Sequence, residues 1–186
     1  MTDNIYDIAS ITKIAATLPA VMMLYDQQYI ALDSPIVRYS YSLRETDKQD
    51  ITVKELLLHS AGLRASFSFF QHAIDWDKMQ GRLFTTKYTK TRNLRDRLYL
   101  NPKFTYRDST FNFTGGEGYL VVSPHFYIHK HFQDSIHNLI LNSKLLPQKK
   151  YTYSDLGFVL LKDIVEEQSA TPFDVYCRKH FFKRLG

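Results

Sequence analysis

Apolar residues recur at helical spacing along most of this chain. Between residues 10 and 28, Ile11, Ile14, Ala15, Leu18, Met22 and Tyr25 fall on one stripe. Pro19 lies inside that stripe. It has no N–H to donate, so the pattern predicts a kink, at a cost of up to ~3 kcal/mol if nothing compensates. Asp33-Ser34-Pro35 reads as a turn or helix start. Thr52 and Glu55 form a T-x-x-E capping box ahead of Leu56-Leu57-Leu58, and Gly62 suits the helix exit. Phe132, Ile136, Leu139 and Ile140 predict a helix over 132–142. Leu156, Leu160 and Ile164, widened by Val159 and Leu161, predict another over 155–168. Thr171-Pro172 caps and opens a last helix, with Asp174 in its first turn. Strand signals are few. Tyr119-Leu120-Val121-Val122 is the best of them, and Thr114-Gly115-Gly116-Glu117-Gly118 reads as a turn. No internal repeat is visible. The pattern predicts a mainly helical chain.

Composition narrows the class. A chain of 186 residues buries a core and is one domain or part of one. A hydrophobic content of 44% excludes a disordered chain. The apolar runs are too short and too interrupted to span a bilayer. Met1-Thr2-Asp3-Asn4 has neither a basic n-region nor an apolar h-region, so no signal peptide precedes Ser10 and the sequence by itself predicts a cytoplasmic product. Cys177 is alone, which rules out an internal disulfide and suits a small buried side chain.

The net charge of +5 comes largely from one segment. Lys78, Arg82, Lys87, Lys90, Arg92, Arg95, Arg97, Lys103 and Arg107 face only Asp96 as an acid, and Tyr88, Tyr99, Phe104 and Tyr106 interleave. Basic residues among aromatics can bind single-stranded nucleic acid through phosphate contacts and base stacking. No recognised nucleic-acid motif accompanies them, and a solvated insertion or mobile loop is the simpler reading. His125, His129, His131 and His137 invite a metal reading, but H-E-x-x-H is absent, so no metal is expected. His59, near a helix end, fits a packing and hydrogen-bonding role better than that of a base.

The chemistry concentrates at Ser10-Ile11-Thr12-Lys13, an S-x-x-K tetrad. On a helix the serine and the lysine share a face. A serine hydroxyl needs a neighbour to take its proton, and a lysine amine can do so when desolvation keeps it neutral. Backbone N–H groups at a helix N-terminus can hold the developing oxyanion.

Three segments in order carry a resemblance to a known family. They are Ala9-Ser10-Ile11-Thr12-Lys13, then Leu57-Leu58-His59-Ser60-Ala61-Gly62-Leu63, then Tyr153-Ser154-Asp155. Phe182-Lys183-Arg184-Leu185-Gly186 follows two helices later. Together they resemble the serine β-lactamase and penicillin-binding-protein family, on its class C and esterase-like branch. They are similar to its nucleophile segment, its "LLxHxSGL" helix end, its Y-x-N element and its "PLG". The Y-S-D form also resembles β-lactamase-like domains fused to bacterial family 3 glycosidases. The resemblance is firm over 5–63 and 135–186 and thin between them.

The sequence departs from the family twice. Asp155 stands where Y-x-N has Asn, and a carboxylate accepts hydrogen bonds but cannot donate as an amide does. No K-T-G or H-x-G follows Tyr153. The resemblance therefore implies a truncated domain over 1–186, being the helical part of an α+β β-lactamase/DD-peptidase-like fold with most of its antiparallel sheet missing. Residues 5–63 would hold the nucleophile helix and the helices after it. Residues 64–134 would be a variable basic and aromatic insertion, and 135–186 the Tyr-Ser-Asp segment and C-terminal helices.

The resemblance implies an acyl-enzyme hydrolase acting on D-alanyl peptides, β-lactams or small esters, without metal or organic cofactor. Ser10 would be the nucleophile, Lys13 its proton acceptor or neighbouring cation, and Tyr153 the base or the proton shuttle to the leaving group. Asp155 would touch substrate. The residues leave open which of Lys13 and Tyr153 takes the first proton. The Ser10 N–H would be one oxyanion donor; the second would come from the absent K-T-G or H-x-G strand, which predicts impaired activity. The parent protein would be extracytoplasmic. The rival readings are a catalytically dead module that binds cell-wall peptide or protein, and a nucleic-acid module on residues 78–107.

Overall fold

The computed structural model describes residues 6–88, the backbone of 93–95, and residues 97–185. Lys90, Arg92, Asp96, Gly186 and the Arg95 side chain therefore lie outside the described residues, as do Met1 to Ile5. The chain divides into two compact units, 1–67 with 140–186, and 68–139.

The first unit is helical. A π-helical turn, Lys13–Thr17, runs directly into α1, Leu18–Asp26. Pro19, which has no N–H to donate, falls where the π turn hands over to α1. The wide turn before it closes with the Leu18 N–H donating to the Lys13 carbonyl. The expected kink is thus absorbed as a π turn.

The helix buries the face opposite the sequence stripe. Ala16, Thr17, Ala20, Val21 and Leu24 are buried, whereas Ile14 is 64% exposed and Met22 59%. Ile11 and Tyr25 are exposed as well. Small residues on the buried side let α1 approach α6, Asp155–Ser169, whose Leu156, Leu160, Leu161, Ile164 and Val165 complete the core.

α2, Val53–Leu57, also packs on α6. Its capping box is complete: Thr52 Oγ1 accepts from the Glu55 N–H at 3.1 Å, and Glu55 Oε2 accepts from the Thr52 N–H at 2.9 Å. Thr52→Ala should lower stability by about 1 kcal/mol in urea unfolding. The left-handed residue after α2 is His59, at φ 54°, ahead of Gly62 at φ 75°.

α7, Phe173–Cys177, is capped by Glu166, whose Oε1 accepts from the Phe173 N–H at 2.8 Å. Thr171 does not cap it, contrary to the sequence expectation, and spends its hydroxyl on the Ser169 carbonyl. Cys177 is buried. A second π turn, Arg178–Phe182, and α8, Lys183–Leu185, follow.

Among its described residues the second unit holds α3, Phe69–Ala73, and α4, Trp76–Met79, with six short strands. β1, Phe84–Thr85, β2, Asn93–Arg95, and β3, Leu98–Leu100, form an antiparallel sheet ordered β1-β3-β2. β4, Phe111–Asn112, β5, Tyr119–Ser123, and β6, Phe126–His129, form another, ordered β4-β6-β5. Leu120 and Phe111 both pair with Ile128. Glycines 115, 116 and 118 make the connection before β5 at positive φ, as their turn pattern predicts.

Of these strands only β5 was legible from the sequence. The rest are two to four residues long, too short for an alternating pattern to register. Ile74, Met79 and Leu83, with Leu100 and Phe104, form a small core here. α5, Lys130–Asn142, starts in this unit and ends in the first.

Candidate active site

The site is built in the first unit from two segments remote in sequence. One is the start of the nucleophile helix. Ala9 sits at φ 43°, with its N–H held by Asp7 Oδ1 at 2.7 Å. A non-glycine residue in the left-handed region is costly, and it turns the chain into the helix at Ser10. Among the described residues, the Ser10 N–H donates to no backbone carbonyl.

The other segment is 152–155, which four hydrogen bonds strap in place. Thr152 N–H donates to the His59 carbonyl at 2.8 Å and Asp155 N–H to the Ala65 carbonyl at 2.8 Å. Ser154 N–H donates to His59 Nδ1 at 3.0 Å, and Ser154 Oγ to the Arg64 carbonyl at 2.6 Å. Ser154 is extended, at φ −131° and ψ 124°, so Tyr153 and Asp155 project to the same side.

Lys13 joins the two segments. Its Nζ donates to Ser10 Oγ at 3.0 Å and to Asp155 Oδ1 at 2.5 Å, across 142 positions of sequence. It also lies 5.1 Å from the centre of the Tyr153 ring and 5.8 Å from that of Phe158. Ser10, Lys13, Tyr153 and Asp155, singled out from the sequence, therefore come together at one place.

The protonation states follow from these contacts. Burial pulls the Lys13 pKa down, but hydrogen bonding and charge from Asp155 and Tyr153 outweigh it and hold the pKa above the ordinary lysine value. Lys13 is an ammonium at neutral pH. The Tyr153 phenol is pushed below its ordinary value, first by its hydrogen bond with Ser10 and then by Lys13, against burial and the Asp155 charge.

His59 is held below the ordinary histidine value, first by burial and then by the Lys13 charge, with Asp155 opposing. The Ser154 N–H takes the Nδ1 lone pair, which a protonated ring does not have. The His59 ring packs 4.5 Å from that of Tyr153. Sequence reasoning gave His59 a packing and hydrogen-bonding role but missed that its imidazole and its carbonyl both grip the Tyr153 segment. Only its left-handed backbone, invisible to periodicity, could have pointed there.

This geometry sets a pH dependence. A histidine with a depressed folded pKa contributes stability that is present above its unfolded pKa and lost as pH falls through the folded value. His59→Asn keeps an acceptor and tolerates positive φ. Thermal unfolding of the unaltered protein should therefore weaken below about pH 6.5, and the variant should lack that component.

The basic segment falls in the second unit. Arg82, Phe84, Lys87, Tyr88 and Asn101 line an open groove of about 460 Å³, while Lys78 pairs with Asp75 at 3.2 Å and Asp108 at 3.6 Å. His129 and His131 stack at 4.9 Å, and no group of three or more candidate metal ligands occurs among the described residues. No helix among them is long and apolar enough to cross a membrane.

A family model described as Beta-lactamase matches residues 2–186. The chain is 23% identical over 190 residues to N-acetylmuramyl-L-alanine amidase of Bacillus subtilis (strain 168), covering 99% of this chain and 32% of that protein. Among solved structures it is similar to the octameric penicillin-binding protein homologue from Pyrococcus abyssi. There the TM-score is 0.55 at 20% identity, over 97% of this chain and 31% of the other. The chain thus spans about a third of the length of these relatives.

Proposed function

The chain belongs to the Beta-lactamase family, and from that premise we propose that it is the acylating part of a serine hydrolase. Ser10 attacks an amide or ester carbonyl, from a D-alanyl peptide, a β-lactam or a small ester. The Ser10 proton passes to Tyr153, which returns it to the leaving group. The new Ser10 ester is then hydrolysed by water. The observation that carries this reading is the meeting of Ser10, Lys13 and Tyr153. Lys13 donates to Ser10 Oγ at 3.0 Å and lies 5.1 Å from the centre of the Tyr153 ring.

The division of labour follows from charge. The pairing of Lys13 with Asp155 at 2.5 Å favours an ammonium with no lone pair for the Ser10 proton. Lys13 then stabilises the Tyr153 phenolate and the Ser10 alkoxide as each forms. The Ser10 N–H supplies one oxyanion donor.

The solvent-facing stripe of Ile11, Ile14, Met22 and Tyr25 is the surface we assign to the antiparallel sheet of this family. The described residues of the first unit form only an isolated bridge between Pro35 and Thr52. The relatives' whole activity, and an extracytoplasmic location, belong to the same proposal. The test is intact-protein mass spectrometry after incubation with an alkyl fluorophosphonate, with peptide mapping. One adduct on Ser10 is the expected result. A folded protein that stays unlabelled while another family member labels would favour a module that only binds cell-wall peptide.

A further inference from the structure

We propose that Asp155 sets which leaving groups the site accepts: it disfavours those carrying a carboxylate and admits neutral or cationic ones. This rests on the reading of Ser10 as nucleophile and Tyr153 as proton donor to the leaving group.

Exposure shows which charge an incoming molecule meets. In the Lys13–Asp155 pair the lysine side chain is 13% exposed and the aspartate 49%. The ammonium lies inside, against Ser10, and the carboxylate faces out. Charge counting gives the same result. An amide at position 155 would leave the Lys13 ammonium uncompensated, an attractive point for a substrate anion. The carboxylate makes the pair neutral and places its negative end toward solvent.

Tyr153 and Asp155 both face the Lys13 ammonium, which pairs with Asp155 at 2.5 Å and lies 5.1 Å from the centre of the Tyr153 ring. A group that departs with a proton from Tyr153 therefore departs beside Asp155. A carboxylate there would lie a few ångströms from a like charge, at a site open enough to be partly screened. The expected discrimination is roughly tenfold to a hundredfold.

The consequence for substrate class is direct. A peptide cleaved before its C-terminal residue releases a group that bears a free carboxylate. A penicillin carries its carboxylate on the side of the departing nitrogen. Both are poor matches for this site. Esters and amides whose departing part is uncharged or bears an amine are good ones.

The step balances simply. A bond forms between Ser10 Oγ and the acyl carbon while the bond from that carbon to the leaving oxygen or nitrogen breaks. The Ser10 proton moves to Tyr153 and from there to the departing atom.

Three esters test this: phenyl acetate, 3-carboxyphenyl acetate and 3-(trimethylammonio)phenyl acetate. All deliver the same acetyl group to Ser10 and differ only in the charge that leaves. Rates are read as the Ser10 adduct in acid-quenched protein and as phenol released, with Ser10→Ala as background. The unaltered protein should acetylate most slowly with the carboxylate ester, by tenfold or more against phenyl acetate. Added salt should shrink that ratio. Asp155→Asn should raise the carboxylate ester tenfold or more relative to phenyl acetate and lower the cationic one. Asp155→Glu should keep the original order.

A folded Asp155→Asn that is acetylated at Ser10 with unchanged ratios overturns the proposal and leaves the nucleophile reading standing. An unaltered protein that prefers the carboxylate ester overturns it without any variant. Absence of a Ser10 adduct with every ester and with the fluorophosphonate removes the nucleophile reading, and this proposal with it.

Discussion

Acylation of Ser10 is expected to vanish in Ser10→Ala and to slow by about a thousandfold in Tyr153→Phe. The first loss is chemical: an alanine has no oxygen to carry the acyl group. The second follows from where the serine proton can go. Lys13 gives a proton toward Ser10 Oγ at 3.0 Å and is anchored on Asp155 at 2.5 Å. Ser10 Oγ therefore accepts from Lys13 and is free to donate to Tyr153, whose phenol is already pushed below its ordinary pKa by Ser10 and Lys13. Phenylalanine keeps the ring against His59 and removes only the oxygen. The acylation rate of the unaltered protein should rise with pH as Tyr153 ionises, levelling off below the ordinary tyrosine value near 10. Tyr153→Phe should lack that rise. The measurement is the time course of fluorophosphonate labelling by intact mass, from pH 6 to 10. A Tyr153→Phe protein that labels at the unaltered rate would move the proton to Lys13 or to water.

What the sequence disclosed, and what it hid, divides along physical lines. Elements set by local repetition were legible. α6 and α5 carry long apolar periods, the box at Thr52 and Glu55 is a local exchange of hydrogen bonds, and the glycines at 115, 116 and 118 mark a turn. Ser10 and Lys13 were legible as an S-x-x-K pair, whereas Tyr153 and Asp155 were legible only through the resemblance of Tyr153-Ser154-Asp155 to the family's Y-x-N element. The facing of α1 was not legible. Both of its sides are apolar, and the side with small residues, Ala16, Ala20 and Val21, is the one that packs. Five of the six strands were hidden by their length. Three of the four straps on the Tyr153 segment were hidden because they end on backbone carbonyls of His59, Arg64 and Ala65, which leave no mark on side-chain pattern.

Lys48 is the clearest case of a residue whose role no pattern announces, and its replacement should carry the largest stability effect. It is 0% exposed, although it looks in the sequence like one charge among many near a turn. Its ammonium donates to Asp47 Oδ1 at 2.7 Å, to the Leu141 carbonyl at 3.0 Å and to the Ser143 carbonyl. All three N–H groups are used, and the two carbonyls are at the end of α5, where a helix leaves its last acceptors unpaired. Asp47 in turn accepts from the Leu145 N–H at 3.1 Å, which ties the chain after α5 to the same point.

Lys48→Met fills the space but leaves those carbonyls without a donor. The expected loss is about 3 kcal/mol, or roughly 6–12 °C in Tm. Asp47→Asn should cost less, since its carboxylate is partly exposed and can turn to water. The Lys48→Met deficit also depends on pH. Burial raises the Asp47 pKa, but Lys48 and the Leu145 N–H outweigh it and hold the pKa below its ordinary value. The stability Asp47 supplies is therefore complete above about pH 4 and lost as pH falls through the depressed value. Urea unfolding at pH 7 and pH 3 should show the Lys48→Met deficit narrowing in acid. A Lys48→Met protein as stable as the parent at pH 7 would mean that the end of α5 finds other donors.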